Sequence, residues 1–122
     1  MKKILVVEDE IALQKIYKDQ LEKAGFEVDI ALDGKMATKE LKAISPDLMI
    51  LDLLLPGEDG IKVLSDIRSD PFSAKLPVIV VSNLCSPELI EGAKKLGAVE
   101  YLVKANLSLA DLINKIKAIL GS

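Results

Sequence analysis

The sequence contains no histidine. That excludes histidine acid–base catalysis, Ser-His-Asp and Cys-His nucleophiles, and histidine metal sites. It also means that the chain cannot donate a phosphoryl group from a phosphohistidine of its own. Cysteine is nearly absent: Cys85 stands alone, which rules out an internal disulfide framework and suits a reducing cytosol. No apolar run approaches the roughly 20 residues that a membrane-crossing helix needs. Met1-Lys2-Lys3 followed by Ile4-Leu5-Val6-Val7 has the outline of a signal peptide. Its apolar run is too short, however, and Glu8-Asp9-Glu10 follows at once. Basic residues are scattered and the net charge is −3, so neither nucleic acid nor an anionic membrane is favoured as a partner. Any chemistry falls to carboxylates, lysines, hydroxyls or one thiol.

What is present is enough for one domain spanning residues 1–122, because half of the chain is apolar and can bury a core without staples. Five short runs read as strands: Ile4–Val7, Glu27–Ala31, Leu48–Leu51, Val78–Val81 and Tyr101–Val103. All but the second are continuously apolar, as expected of parallel strands covered on both faces, while Glu-Val-Asp-Ile-Ala alternates and suits an edge. Helical spacing fills the gaps. One stripe runs from Ile11 through Ile16 and Leu21 to a stop at Gly25, and a second through Met36 and Leu41 to Ile44 before Pro46. A third carries Ile61, Leu64 and Ile67; a fourth opens at Ser86-Pro87, a cap followed by proline at the first helical position. Ser108 caps the last, with Asp111 placed as its capping-box partner. Alternating strands and helices predict an α/β domain of (βα)₅ type, a parallel sheet with helices on both faces. The pattern leaves the strand order open.

Ligands of open α/β sheets bind outside the carboxyl ends of the strands, so what each strand ends on is informative. The first run ends in Glu8-Asp9, the third in Asp52, the fourth in Ser82-Asn83 and the fifth in Lys104. Taken singly, each reads as a solvated strand end or a turn. Together they bring three acids, a hydroxyl and an ammonium to one edge of the sheet. Clustered carboxylates repel one another and call for a cation; without histidine or several thiolates, that cation is a hard one such as Mg²⁺, which takes about six oxygens. Ser82 and Lys104 remain to hold a tetrahedral anion. The set suits phosphoryl transfer, in which positioning and charge neutralisation carry most of the catalysis.

Four segments carry a resemblance over essentially the whole chain. They are Ile4-Leu5-Val6-Val7-Glu8-Asp9-Glu10, Leu51-Asp52-Leu53-Leu54-Leu55-Pro56-Gly57-Glu58-Asp59-Gly60, Pro77-Val78-Ile79-Val80-Val81-Ser82 and Gly97-Ala98-Val99-Glu100-Tyr101-Leu102-Val103-Lys104. In this order they resemble the receiver domain of two-component response regulators. The resemblance implies a flavodoxin-like, CheY-like three-layer sandwich with a five-stranded sheet of order 2-1-3-4-5. It also implies that Asp52 takes a phosphoryl group from a sensor histidine kinase or a histidine phosphotransfer protein, in a Mg²⁺-dependent step that the domain assists. By the same resemblance Asp9 binds Mg²⁺ directly, Glu8 does so mainly through water, and Asp52 and the Leu54 backbone carbonyl complete the protein ligands. Lys104 pairs with phosphoryl oxygens, Ser82 hydrogen-bonds them, and Ser82 with Tyr101 forms the switch. The product is a cytoplasmic signalling switch and not an enzyme in the ordinary sense. Its output surface is the fourth helix, the fifth strand and the fifth helix, open to an effector the sequence does not name or to a phosphorylation-dependent homodimer.

The sequence departs from the family pattern beside the site. Ala105 follows Lys104 where proline is usual, often after a cis peptide; before a non-proline residue that bond costs about 2.5–4 kcal/mol. Asn83 follows Ser82 where a small residue is common. Leu54 and Leu84 are apolar at positions that in the family face the attacking water, which implies slow self-dephosphorylation. Three competing readings are weaker. A haloacid-dehalogenase-like phosphatase needs a second aspartate where Leu54 stands, and a flavodoxin-like phosphate loop would be repelled by Glu8-Asp9-Glu10. A receiver used only as an unphosphorylated scaffold would have no need of Asp9, Asp52, Ser82 and Lys104 together. The end at Gly121-Ser122 fits either a stand-alone receiver or one cut from a longer DNA-binding regulator or hybrid kinase.

Overall fold

A computed structural model describes residues 1–121. Among them, strands β1 (Lys3–Val7), β2 (Glu27–Ala31), β3 (Leu48–Leu51), β6 (Val78–Ser82) and β7 (Ala98–Val103) form one parallel sheet. Its order is β2-β1-β3-β6-β7. A two-residue hairpin, β4 (Leu54–Leu55) with β5 (Glu58–Asp59), lies apart from it. With the hairpin set aside, this is the 2-1-3-4-5 order implied by the resemblance. The helices are α1 (Ile11–Lys23), α2 (Gly34–Ile44), α3 (Gly60–Ser69), α4 (Pro87–Lys95) and α5 (Leu109–Leu120).

Successive side chains of a strand point to opposite faces, and the core divides accordingly. Ile4, Val6, Leu48, Ile50, Ile79 and Val81 pack under α1 and α5 against Tyr17, Leu21, Leu112 and Ile116. Leu5, Val7, Met49, Leu51, Val78 and Val80 pack on the other face under α2, α3 and α4. The continuous apolar runs of β1, β3 and β6 are therefore buried on both sides, as expected. The fifth run behaves differently: β7 starts three residues earlier than the sequence predicts, at Ala98, and is half-exposed. It is an edge strand, and a register shift at Val78/Ile79 lets it pair further back along β6.

The caps read in the sequence form: Ser86 and Ser108 accept N–H bonds from Leu89 and Asp111. Asp33, which the sequence did not mark as a cap, accepts the Met36 N–H at the start of α2. Two further ties are not visible in the sequence. Glu58 Oε1, from the small hairpin, accepts the Gly34 N–H at 2.7 Å and so puts a second carboxylate at the start of α2. Arg68, near the end of α3, spreads its guanidinium over four backbone carbonyls: Leu96 at 2.6 Å, Gly97 at 3.1 Å, Ser73 at 3.2 Å and Ala74 at 3.3 Å. Among the described residues no carboxylate pairs with it, and burial lowers its pKa. Arg68 thus joins α3 to the turn that leads from α4 into β7. Arg68→Met should cost about 2 kcal/mol through four lost charge-assisted bonds, and Arg68→Lys should recover less than half, because one ammonium cannot fan across four acceptors. Urea unfolding midpoints check both.

Candidate functional site

The sheet ladder carries the first two acids into place. Glu8 N–H donates to the Ala31 carbonyl at 3.0 Å and Asp52 N–H to the Val7 carbonyl at 3.2 Å, so both residues extend the sheet by one rung beyond β1 and β3. Glu8 is 2% exposed and Asp52 4%. Between them stands Lys104, which directly follows β7 and opens a 3₁₀ turn over Lys104–Asn106. Its Nζ lies 2.6 Å from Asp52 Oδ2 and 2.7 Å from Glu8 Oε1. The other oxygen of each carboxylate is held by backbone: Asp52 Oδ1 accepts from Leu54 N–H at 2.9 Å and Glu8 Oε2 from Glu10 N–H at 3.1 Å.

The electrostatics reflect burial against pairing. Burial raises the Glu8 carboxyl above its ordinary value, and the hydrogen bonds from Lys104 and Glu10 only partly oppose it. For Lys104 burial acts downward, but the bonds and attraction of Asp52 and Glu8 together outweigh it and hold the ammonium above the usual lysine range. Tyr17 of α1, which is absent from the apolar stripe read in the sequence, is pushed up to about 12 by burial and then by the Glu8 charge. Gln14 of α1 donates to the Glu8 carbonyl at 2.7 Å. Neither residue carries a signal that distinguishes it from other helix positions.

Asp52, Glu8, Asp9, Lys104, Leu54 and Asn83 all line a cavity of about 440 Å³ at this edge of the sheet. Asp9 is exposed at its rim. The expected metal set does not close: among the described residues, no three acidic or thiol side chains gather at metal-ligating spacing. Lys104 instead takes the place between Glu8 and Asp52. Even so, two buried carboxylates share one ammonium, the Asp9 carboxylate lines the same cavity, and all of these donors are hard oxygens. That donor chemistry suits a hard divalent cation.

Ser82 is wholly buried at the end of β6, where its Oγ accepts the Leu84 N–H at 3.2 Å. The Leu84 carbonyl in turn accepts the Tyr101 hydroxyl. With its backbone fixed at both ends, the Leu84 side chain packs on the core under α2, α3 and α4. This corrects the expectation that Leu84 faces the site. Leu54 does face it and is 59% exposed. The Lys104–Ala105 peptide is trans, and the Ala105 N–H donates to Asn83 Oδ1 at 2.8 Å.

The family model described as the response regulator receiver domain matches residues 4–117. The phosphate regulon transcriptional regulatory protein PhoB of Rhizobium meliloti is 40% identical over 119 residues, which cover 97% of this chain and 52% of that protein. The chain spans about half the length of the curated relatives it matches. A two-component response regulator from Clostridium difficile superposes with a TM-score of 0.90 at 28% identity, covering 98% of this chain and 96% of that one. The Mn²⁺-bound form of response regulator Rcp1 gives 0.80 at 30% identity, with 98% and 91% covered.

Proposed function

We propose, on the premise that the chain belongs to the response regulator receiver domain family, that Asp52 is its phosphoacceptor and that the domain is a switch set by a phosphohistidine partner. One observation carries this reading: the Lys104 ammonium bridges Asp52 and Glu8 at 2.6 and 2.7 Å at the carboxyl edge of the sheet. A cation so placed holds the nucleophilic carboxylate in position and is ready to receive charge that develops beside it.

In the proposed reaction an Asp52 carboxylate oxygen attacks the phosphorus of a phosphohistidine. A P–O bond forms as the P–N bond breaks, and the imidazole nitrogen leaves with the electron pair. The partner must bring that histidine, because this chain has none; a sensor histidine kinase or a histidine phosphotransfer protein meets the need. Asp9, Asp52 and the Leu54 carbonyl would hold Mg²⁺, with Glu8 reached through water. When bound, that ion would neutralise charge on the transferring oxygens, and the Mn²⁺ of the Rcp1 neighbour supports a divalent ion here. Lys104 exchanges a carboxylate partner for a phosphoryl oxygen. Ser82 gives its hydroxyl to the phosphoryl group, which disturbs its bond with the Leu84 N–H. Because Tyr101 holds the Leu84 carbonyl, the disturbance reaches β7 and the surface of α4, β7 and α5. An effector, or a second phosphorylated copy, would read that surface. The relatives named as transcriptional regulators make a DNA-binding output module one class of effector.

Incubation with Mg²⁺ and a small acyl phosphate should add one phosphoryl mass to the chain, and Asp52→Ala should abolish it. No adduct, under conditions where a known receiver labels, would support the alternative of an unphosphorylated scaffold.

A further inference from the structure

The two departures from the family pattern beside Lys104 and Ser82 meet in space. Ala105 has a backbone N–H that the usual proline lacks, and that N–H donates to Asn83 Oδ1 at 2.8 Å. Because the partner is a donor, the amide end facing it must be the oxygen, so chemistry settles which way the amide is turned. The two N–H groups of Nδ2 are what remains for Asn83 to offer. It lines the same cavity as Asp52, Glu8, Asp9 and Lys104. A neutral donor is useful there, since Glu8 and Asp52 already share a single ammonium and Asp9 adds a third carboxylate to the lining. The bond also spans 22 residues and fixes the first turn after Lys104, on which the reach of the ammonium depends.

We propose that Asn83 is a further residue of the phosphoryl site: one end of its amide latches the Lys104 turn through Ala105, and the other donates to a phosphoryl oxygen on Asp52. This rests on the reading of Asp52 as the phosphoacceptor. Two variants separate the ends. Asn83→Asp keeps an acceptor for Ala105 but loses the donor and adds a negative charge, whereas Asn83→Ala loses both. Asn83 is exposed, so neither change threatens the core.

With Mg²⁺ and a small acyl phosphate, Asn83→Ala should label about fivefold more slowly than the parent and Asn83→Asp about thirtyfold more slowly. Hydrogen exchange at the Ala105 amide should quicken about tenfold in Asn83→Ala and stay near the parent rate in Asn83→Asp. Parent-like labelling of Asn83→Asp, equal slowing of the two variants, or unchanged Ala105 exchange in Asn83→Ala would each overturn the proposal. The underlying reading fails separately, if the parent takes no phosphoryl group or Asp52→Ala still takes one.

Discussion

Lys104→Met should destabilise the fold by about 3 kcal/mol at neutral pH, the usual cost of removing one partner from a buried ion pair. It should also slow phosphoryl labelling of Asp52 at least about 100-fold, as losing an oxyanion-stabilising group does. The Lys104 side chain is only 15% exposed, and the Glu8 and Asp52 side chains that it joins are 2% and 5% exposed. Removing the ammonium leaves two buried carboxylates with backbone N–H groups and each other. The pH dependence separates this from simple loss of packing. In the parent, the Glu8 pKa lies above its ordinary 4.5 because burial dominates. The native state therefore holds that proton more tightly than the unfolded chain, and stability falls as pH rises through this range. In Lys104→Met the two lowering influences of Lys104 vanish, so the falling range extends to higher pH. The variant should thus regain more stability than the parent between pH 7 and pH 5 in urea unfolding. At the alkaline end stability again falls as pH rises, but there the parent loses more than the variant. The raised Lys104 pKa contributes stability that is complete below its unfolded value near 10.5 and lost above it, and the variant should lack that loss. Lys104→Arg should restore most of the stability but little of the labelling. Parallel pH profiles for parent and Lys104→Met would show that the pair does not hold Glu8.

The strands, helices and strand-end acids were legible because each leaves a local mark. A parallel strand covered on both faces must be continuously apolar, and the sheet then delivers whatever follows it to one edge. That is how Glu8, Asp52 and Lys104 could be grouped without a structure. What the local sequence could not give was reach. Whether Lys104 meets Asp52 depends on the peptide after it, and Ala105 allows a trans 3₁₀ turn where the family's proline would often impose another shape. The bonds from Ala105 to Asn83, from Gly34 to Glu58 and from Arg68 to Leu96 span 22, 24 and 28 residues. None recurs with a period, so none could be read in advance. The true start of β7 was hidden for a similar reason: Ala98-Val99-Glu100 lacks a strand's apolar run, and only the irregular pairing with β6 extends it.

Gly60→Ala should cost at least about 3 kcal/mol, although the position opens a helix and alanine is the better helix former. The reason is steric and lies in the backbone. A Cβ at Gly60 would sit 2.2 Å from the Leu53 carbonyl oxygen and 2.3 Å from the Leu53 Cα. No flexible side chain can give way, so either the start of α3 or the Asp52-Leu53 backbone must move. Gly92 in α4 supplies the opposite case. A Cβ there meets nothing nearer than the Ile61 Cδ1 at 3.8 Å, so Gly92→Ala should gain about 0.5–1 kcal/mol from helix propensity and unfolded-state entropy. Urea unfolding of the two variants tests the contrast directly. The site should register the first change as well. Leu53 follows Asp52, whose Oδ1 is held by the Leu54 N–H, so a shift of this backbone turns the carboxylate away from Lys104. Gly60→Ala should therefore label more slowly than its residual folded fraction accounts for, while Gly92→Ala labels like the parent. A loss of stability below about 1 kcal/mol in Gly60→Ala would mean that α3 slides along the sheet without strain, and the link between its N-terminus and Asp52 would then fall.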